Sequence, residues 1–120
     1  LERLSGQRIL VVEDEEGQAR AISLLFKHSF GAEVETAASC REAREKMEKS
    51  AFDLITLDYQ LPDGDGLQLL RELNERPDAP PAIMITGHGD EQTAVSAFKL
   101  GASGYVVKDK RMSTMIIEVA

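Results

Sequence analysis

The chain has 120 residues, 42% of them hydrophobic and 29% charged, which is the composition of one ordinary globular domain. It has no apolar run near 18 residues to span a bilayer, no charged-then-apolar export leader, and a single cysteine, Cys40, too few for a disulfide framework or a cysteine-built zinc site. Twenty-one acids against fourteen bases give a formal net charge of −7, which disfavours direct nucleic-acid binding and suits a divalent cation or a basic protein partner, while the lone cysteine is compatible with a reducing cytoplasm and no membrane association is expected.

Arg8–Val12 is a short apolar, β-branched run and is expected to be a buried strand. From about Gly17 to Phe30, the residues Ala19, Ile22, Leu25, Phe26 and Phe30 make one helical face, and Gly31 punctuates its end. Glu33–Ala37 alternates and is a short strand. Ser39 caps a helix running to about Ser50, with Glu42 completing a capping box. Asp53–Asp58 is a strand ending in an acid, and Leu61–Gly66 is a loop by composition. Leu67, Leu70 and Leu73 mark a helix to about Arg76, which Pro77, Pro80 and Pro81 break. Ala82–Thr86 is a strand and Gly87–Asp90 a loop. Glu91–Leu100 is a helix with Ala94, Val95 and Phe98 inward, ended by Gly101. Gly104–Lys108 is the last strand. Met112, Met115, Ile116 and Val119 form one face of a final helix, which ends at Ala120 without a stop signal. With Leu1 at the start, this suggests a domain excised from a longer protein, its fifth helix cut short.

Five β-α units in this order imply parallel strands with right-handed crossovers, both sheet faces covered. Five units are too few for an eightfold barrel, so an α/β, open doubly wound sheet is expected. In such sheets the site lies at the carboxyl ends of the strands. There the sequence places Glu13 and Asp14 after the first strand, Asp58 after the third, Thr86 after the fourth and Lys108 after the fifth. Carboxylates held together repel unless a cation compensates. Mg²⁺ meets that need and leaves room for phosphate oxygens. Lys108 and Thr86 read as partners for phosphoryl oxygens, and Asp58 as a possible carboxylate nucleophile. Singly, each residue has a plainer reading: a solvated helix start for Glu13 and Asp14, a turn former for Asp58, a surface lysine for Lys108. The joint pattern carries the argument.

Ile9-Leu-Val-Val-Glu-Asp-Glu15, Asp53-Leu-Ile-Thr-Leu-Asp-Tyr-Gln-Leu-Pro-Asp-Gly-Asp-Gly-Leu67, Ile83-Met-Ile-Thr-Gly87 and Gly101-Ala-Ser-Gly-Tyr-Val-Val-Lys108 together resemble the receiver domain of two-component response regulators, over nearly the whole chain. The resemblance implies a flavodoxin-like (βα)5 fold with strand order 2-1-3-4-5. It implies that Asp58 is the phosphoacceptor, taking its phosphoryl group from a phosphohistidine on a histidine kinase or phosphotransfer protein. Mg²⁺ would be held by Asp14, Asp58 and the Gln60 carbonyl, with Glu13 acting directly or through water. Thr86 and Lys108 would hold phosphoryl oxygens. The domain would catalyse only its own phosphorylation and dephosphorylation. Thr86 and Tyr105 would form a switch altering the face of the fourth helix, fifth strand and fifth helix, toward an output domain, a separate effector or a second copy; Tyr105 as a partly buried strand aromatic is the plain alternative. Glu13 stands where the family more often has Asp, and Asp109 where it often has Pro after the lysine, so the Lys108–Asp109 bond is either trans or a costly cis. Gln60 and His88 lie where the family tunes phosphate lifetime, His88 otherwise being an exposed loop histidine.

A calcium-loop reading of Leu61–Glu72, with Asp63, Asp65, Gly66 and Glu72 at suggestive spacings, fails because Leu61 stands at the first ligand position and a strand precedes it. A phosphatase of the haloacid dehalogenase type would want an acid where Gln60 stands and a later acidic motif. An unphosphorylated receiver-like interaction module has no need of the intact acids, Thr86 and Lys108. The leading expectation is a phosphorylation switch.

Overall fold

The computed structural model describes residues 6–87, 91–109 and 111–119; His88 lies outside them. The elements run β1 (Arg8–Val12), α1 (Glu16–Phe30), β2 (Glu33–Ala37), α2 (Cys40–Lys49), β3 (Leu54–Leu57), β4 (Gln60–Leu61), β5 (Gly64–Asp65), α3 (Gly66–Asn74), β6 (Ala82–Thr86), α4 (Glu91–Lys99), β7 (Gly104–Val107) and α5 (Met112–Val119). The main sheet has the order β2-β1-β3-β6-β7 with every pair parallel, so its five strands in chain order are arranged 2-1-3-4-5 as expected. The fold is an open, doubly wound, flavodoxin-like α/β sheet.

Alternating side chains on each strand feed two cores. Leu10, Val12, Ile55, Leu57 and Met84 pack with Leu69, Leu70 and Leu73 of α3, Ala43 of α2 and Ala97 of α4. Ile9, Val11, Ile83 and Ile85 pack on the other face with Ile22 and Phe26 of α1 and Ile116 of α5. The all-apolar strands follow from this two-sided burial.

Local chemistry sets the helix ends. The Glu15 carboxylate accepts from the N–H groups of Gly17 and Gln18 at the start of α1, and Gly31, at φ 68°, closes its end in a left-handed turn that glycine adopts without a Cβ penalty. Ser39 Oγ accepts from Glu42 N–H at 3.1 Å, the expected cap of α2. The reciprocal half of the box is displaced by one residue, because the Glu42 carboxylate accepts from Ala38 N–H at 3.4 Å. Asp65 caps α3 through Gln68 N–H.

Three expectations are corrected. The stretch read as a loop at Leu61–Gly66 holds the small antiparallel hairpin β4–β5, pairing Gln60 with Asp65 and Leu61 with Gly64. In α4, Val95 is 47% and Phe98 53% exposed, whereas Ala97 is fully buried and Ala94 half-buried. The helix lies on the sheet through its small residues, which turns its two largest apolar side chains outward. The third concerns α3, whose regular part ends at Asn74; i→i+3 bonds from Glu75 N–H to Glu72 and from Arg76 N–H to Leu73 finish the turn just before Pro77. The Lys108–Asp109 bond is trans.

Leu70 is fully buried beneath β3 and β6. Leu70→Ala should cost about 2–5 kcal/mol, read as a lower urea midpoint with unchanged slope.

Candidate functional site at the carboxyl edge of the sheet

Strands β1, β3 and β7 each hand a functional residue to the rim one position past their own ends, and a backbone hydrogen bond to the neighbouring strand holds it there; Thr86 is itself the last residue of β6. Glu13 N–H donates to the Ala37 carbonyl (2.9 Å), Asp58 N–H to Val12 (3.0 Å) and Lys108 N–H to Thr86 (2.9 Å). The sheet's register is thereby continued into the site. The side chains of Glu13, Asp14, Asp58 and Lys108 meet in a cleft of about 350 Å³ that Gln60 and Gly87 also line.

The Lys108 ammonium lies between two carboxylates. Its Nζ donates to Asp58 Oδ2 at 2.9 Å and is ion-paired with Glu13 Oε1, an oxygen with no further partner among the described residues. Glu13 Oε2 accepts from Glu15 N–H at 3.0 Å. Glu13 is 3% and Asp58 8% exposed, whereas Asp14 opens to solvent. Burial pushes the Glu13 carboxyl up to about 7; Lys108 and the Glu15 N–H oppose this, and the Asp58 charge adds to it. For Lys108 burial works against the charge, but contacts with Glu13 and Asp58 outweigh it and its affinity for a proton is raised.

One carboxylate oxygen from each of Glu13, Asp14 and Asp58 falls within 4.8 Å of the others. This set fits a small, hard divalent cation: three oxygen donors converge, one is accessible to solvent, and Glu13 Oε1 is buried with only an ion-pair partner. Gln60 sits beside them, its N–H 3.4 Å from Asp58 Oδ1. Thr86 is fully buried at the end of β6, and Tyr105 is half-buried on β7. Thr86 pairs with Val107, so Tyr105, two residues earlier, shares its sheet face.

Two features of the site escaped the sequence reading. The first is Gly66. A Cβ there would lie 2.1 Å from the Asp58 carbonyl oxygen, so the first turn of α3 rests directly on the backbone of Asp58. The second is Asp63. Its two carboxylate oxygens accept from Cys40 N–H (2.8 Å) and Arg41 N–H (2.9 Å), tying the hairpin tip to the start of α2. Those bonds, to Arg41 first and Cys40 second, hold its carboxyl below the usual range. Neither is visible as a local pattern: the Gly66 contact depends on how the hairpin folds back on Asp58, and the Asp63 bonds join residues 23 and 22 apart in the chain.

Comparison with known proteins identifies the family. Residues 9–120 match the sequence profile of the response regulator receiver domain. The chain is 39% identical over 106 residues to the phosphate regulon transcriptional regulatory protein of Rhizobium meliloti, covering 84% of this chain and 45% of that protein. It is 30% identical over 119 residues to a transcriptional regulatory protein of Bacillus subtilis, covering 99% of this chain and 49% of that one. Among solved structures, a CheY-like receiver domain of Methanospirillum hungatei superposes with a TM-score of 0.85 at 29% identity, covering 96% of this chain and 91% of that one. The chain belongs to the response regulator receiver domain family. It spans less than half the length of these two curated relatives.

Gly66→Ala should force Asp58 and α3 apart. An overpacking cost of about 1–3 kcal/mol in urea unfolding and a displaced Asp58 amide resonance are expected; an unperturbed Asp58 amide would contradict the contact.

Proposed function

We propose that this chain is the excised receiver domain of a longer two-component response regulator, and that Asp58 accepts a phosphoryl group from a phosphohistidine of a histidine kinase or phosphotransfer protein. The observation that carries this reading is the nearly buried Asp58 carboxylate, hydrogen-bonded to Lys108 and grouped with Glu13 and Asp14. An Asp58 carboxylate oxygen attacks phosphorus as the phosphorus–nitrogen bond breaks, and the imidazole nitrogen leaves with the electron pair. Asp14, Asp58 and the Gln60 carbonyl would hold Mg²⁺, with Glu13 direct or through water. Bound Mg²⁺ neutralises charge on the phosphoryl oxygens. Lys108 holds one such oxygen, exchanging its present carboxylate contact for it, and the Thr86 hydroxyl donates to another. Positioning and charge compensation of this kind supply most of the catalysis in phosphoryl transfer.

The output would pass through Thr86 and Tyr105. Thr86 moving toward the phosphoryl group vacates space on the face it shares with Tyr105, and Tyr105 rotates inward. That alters the surface of α4, β7 and α5, where Val95, Phe98 and Ile117 are exposed. The curated relatives named above are transcriptional regulators, which favours a transcription-controlling output domain outside this chain or a second copy docking on this face. Direct nucleic-acid binding by this acidic domain is not expected. Among the described residues no helix is long and apolar enough to cross a membrane, which is compatible with a cytoplasmic site of action.

Incubation with acetyl phosphate and Mg²⁺ should add one phosphoryl group, seen by intact mass. The addition should vanish in Asp58→Asn and with chelator. No addition to the folded wild type would favour an unphosphorylated interaction module.

A further inference from the structure

The hairpin β4–β5 leaves Asp58 and returns to α3 within eight residues, carrying Gln60 with it. Its base is closed by Gly66 N–H donating to the Tyr59 carbonyl at 2.7 Å. A two-residue ladder on its own holds little. Its tip is anchored elsewhere, by both oxygens of Asp63 on the first two N–H groups of α2. Helix α2 starts three residues after Ala37, whose carbonyl holds Glu13. The bonds Asp58–Val12, Glu13–Ala37 and Cys40–Asp63 therefore close a ring around the site, and Asp63 is its link on the hairpin side.

We infer that Asp63 is a positioning residue for the metal and phosphoryl site: by pinning the hairpin tip to the N-terminus of α2, it fixes the backbone of Gln60 relative to Asp58. This rests on the functional reading above, in which the Gln60 carbonyl is a metal ligand. Asp63 touches no reacting atom itself. Capping α2 is not its sole purpose, because Ser39 already caps the same helix end through Glu42 N–H. Asp63 takes the two N–H groups that Ser39 leaves, and its bonds reach from the hairpin tip to that helix end, where Ser39 acts within its own segment.

The two caps provide the test. Ser39→Ala weakens α2 but leaves the hairpin anchored. Asp63→Ala removes both acceptors and releases the anchor, and Asp63→Glu keeps the charge while displacing the oxygens by one methylene. Two quantities are read in each: hydrogen exchange of the Gly66 amide in metal-free protein, and Mg²⁺ affinity by amide chemical-shift titration. Both Asp63 variants should lose Gly66 protection and bind Mg²⁺ roughly tenfold more weakly, the scale on which groups that orient metal ligands act. Ser39→Ala should retain both properties. Unchanged Gly66 protection or unchanged Mg²⁺ affinity in the Asp63 variants overturns the inference, as does an equal loss in Ser39→Ala, which would make Asp63 a helix cap and nothing more. A wild type that binds no Mg²⁺ refutes the metal role of Asp63 and the phosphoacceptor reading together; a wild type that binds Mg²⁺ but takes no phosphoryl group refutes the latter alone.

Discussion

Two nearly buried carboxylates at one sheet edge repel each other, and the Lys108 ammonium between them is what makes the arrangement tenable. Each charge taken from water costs several kcal/mol, roughly, and a pair repays that only with close contacts and further hydrogen bonds. Here Asp58 has a direct hydrogen bond, Glu13 has a backbone donor on one oxygen and a bare ion pair on the other, and Asp14 stays in water. One buried Glu13 oxygen is thus met only by the Lys108 ion pair, and the three carboxylates hold oxygens close enough together to meet a divalent cation.

The rest of the molecule serves to bring those three residues together. Glu13, Asp58 and Lys108 are 45 and 50 residues apart in the chain, and they meet because three parallel strands end at the same rim. Parallel order in turn demands crossover helices on both faces, and the two cores cement those helices to the sheet. Backbone bonds one residue beyond β1, β3 and β7 carry the register into the site. Gly66 beneath Asp58 lets α3 rest on the rim, and Asp63 ties the returning hairpin to the opposite side of the crevice.

Helix α4 illustrates where periodicity reasoning breaks down. Ala94, Val95 and Phe98 are a helical stripe by spacing, and hydrophobicity alone points that stripe inward. The sheet accepts the smaller Ala97 face, and Val95 and Phe98 are left outside. Burial by size of contact and burial by apolar character are different criteria on a helix that approaches its sheet closely.

The amino-acid order was enough for the alternation of strands and helices, the doubly wound class, and the rim positions of Glu13, Asp14, Asp58, Thr86 and Lys108. Those follow from apolar runs, helix caps and the rule that parallel strands present their carboxyl ends together, all of which are written in local or regularly spaced patterns. The ion pairing of Lys108 with both acids, the hairpin inside the Asp-Gly-Asp-Gly segment, the outward turn of Phe98 and the reach of Asp63 to α2 were settled by packing. Each depends on which side chains come within a few ångströms across long separations in the chain, and that information exists only once the layers have closed on one another.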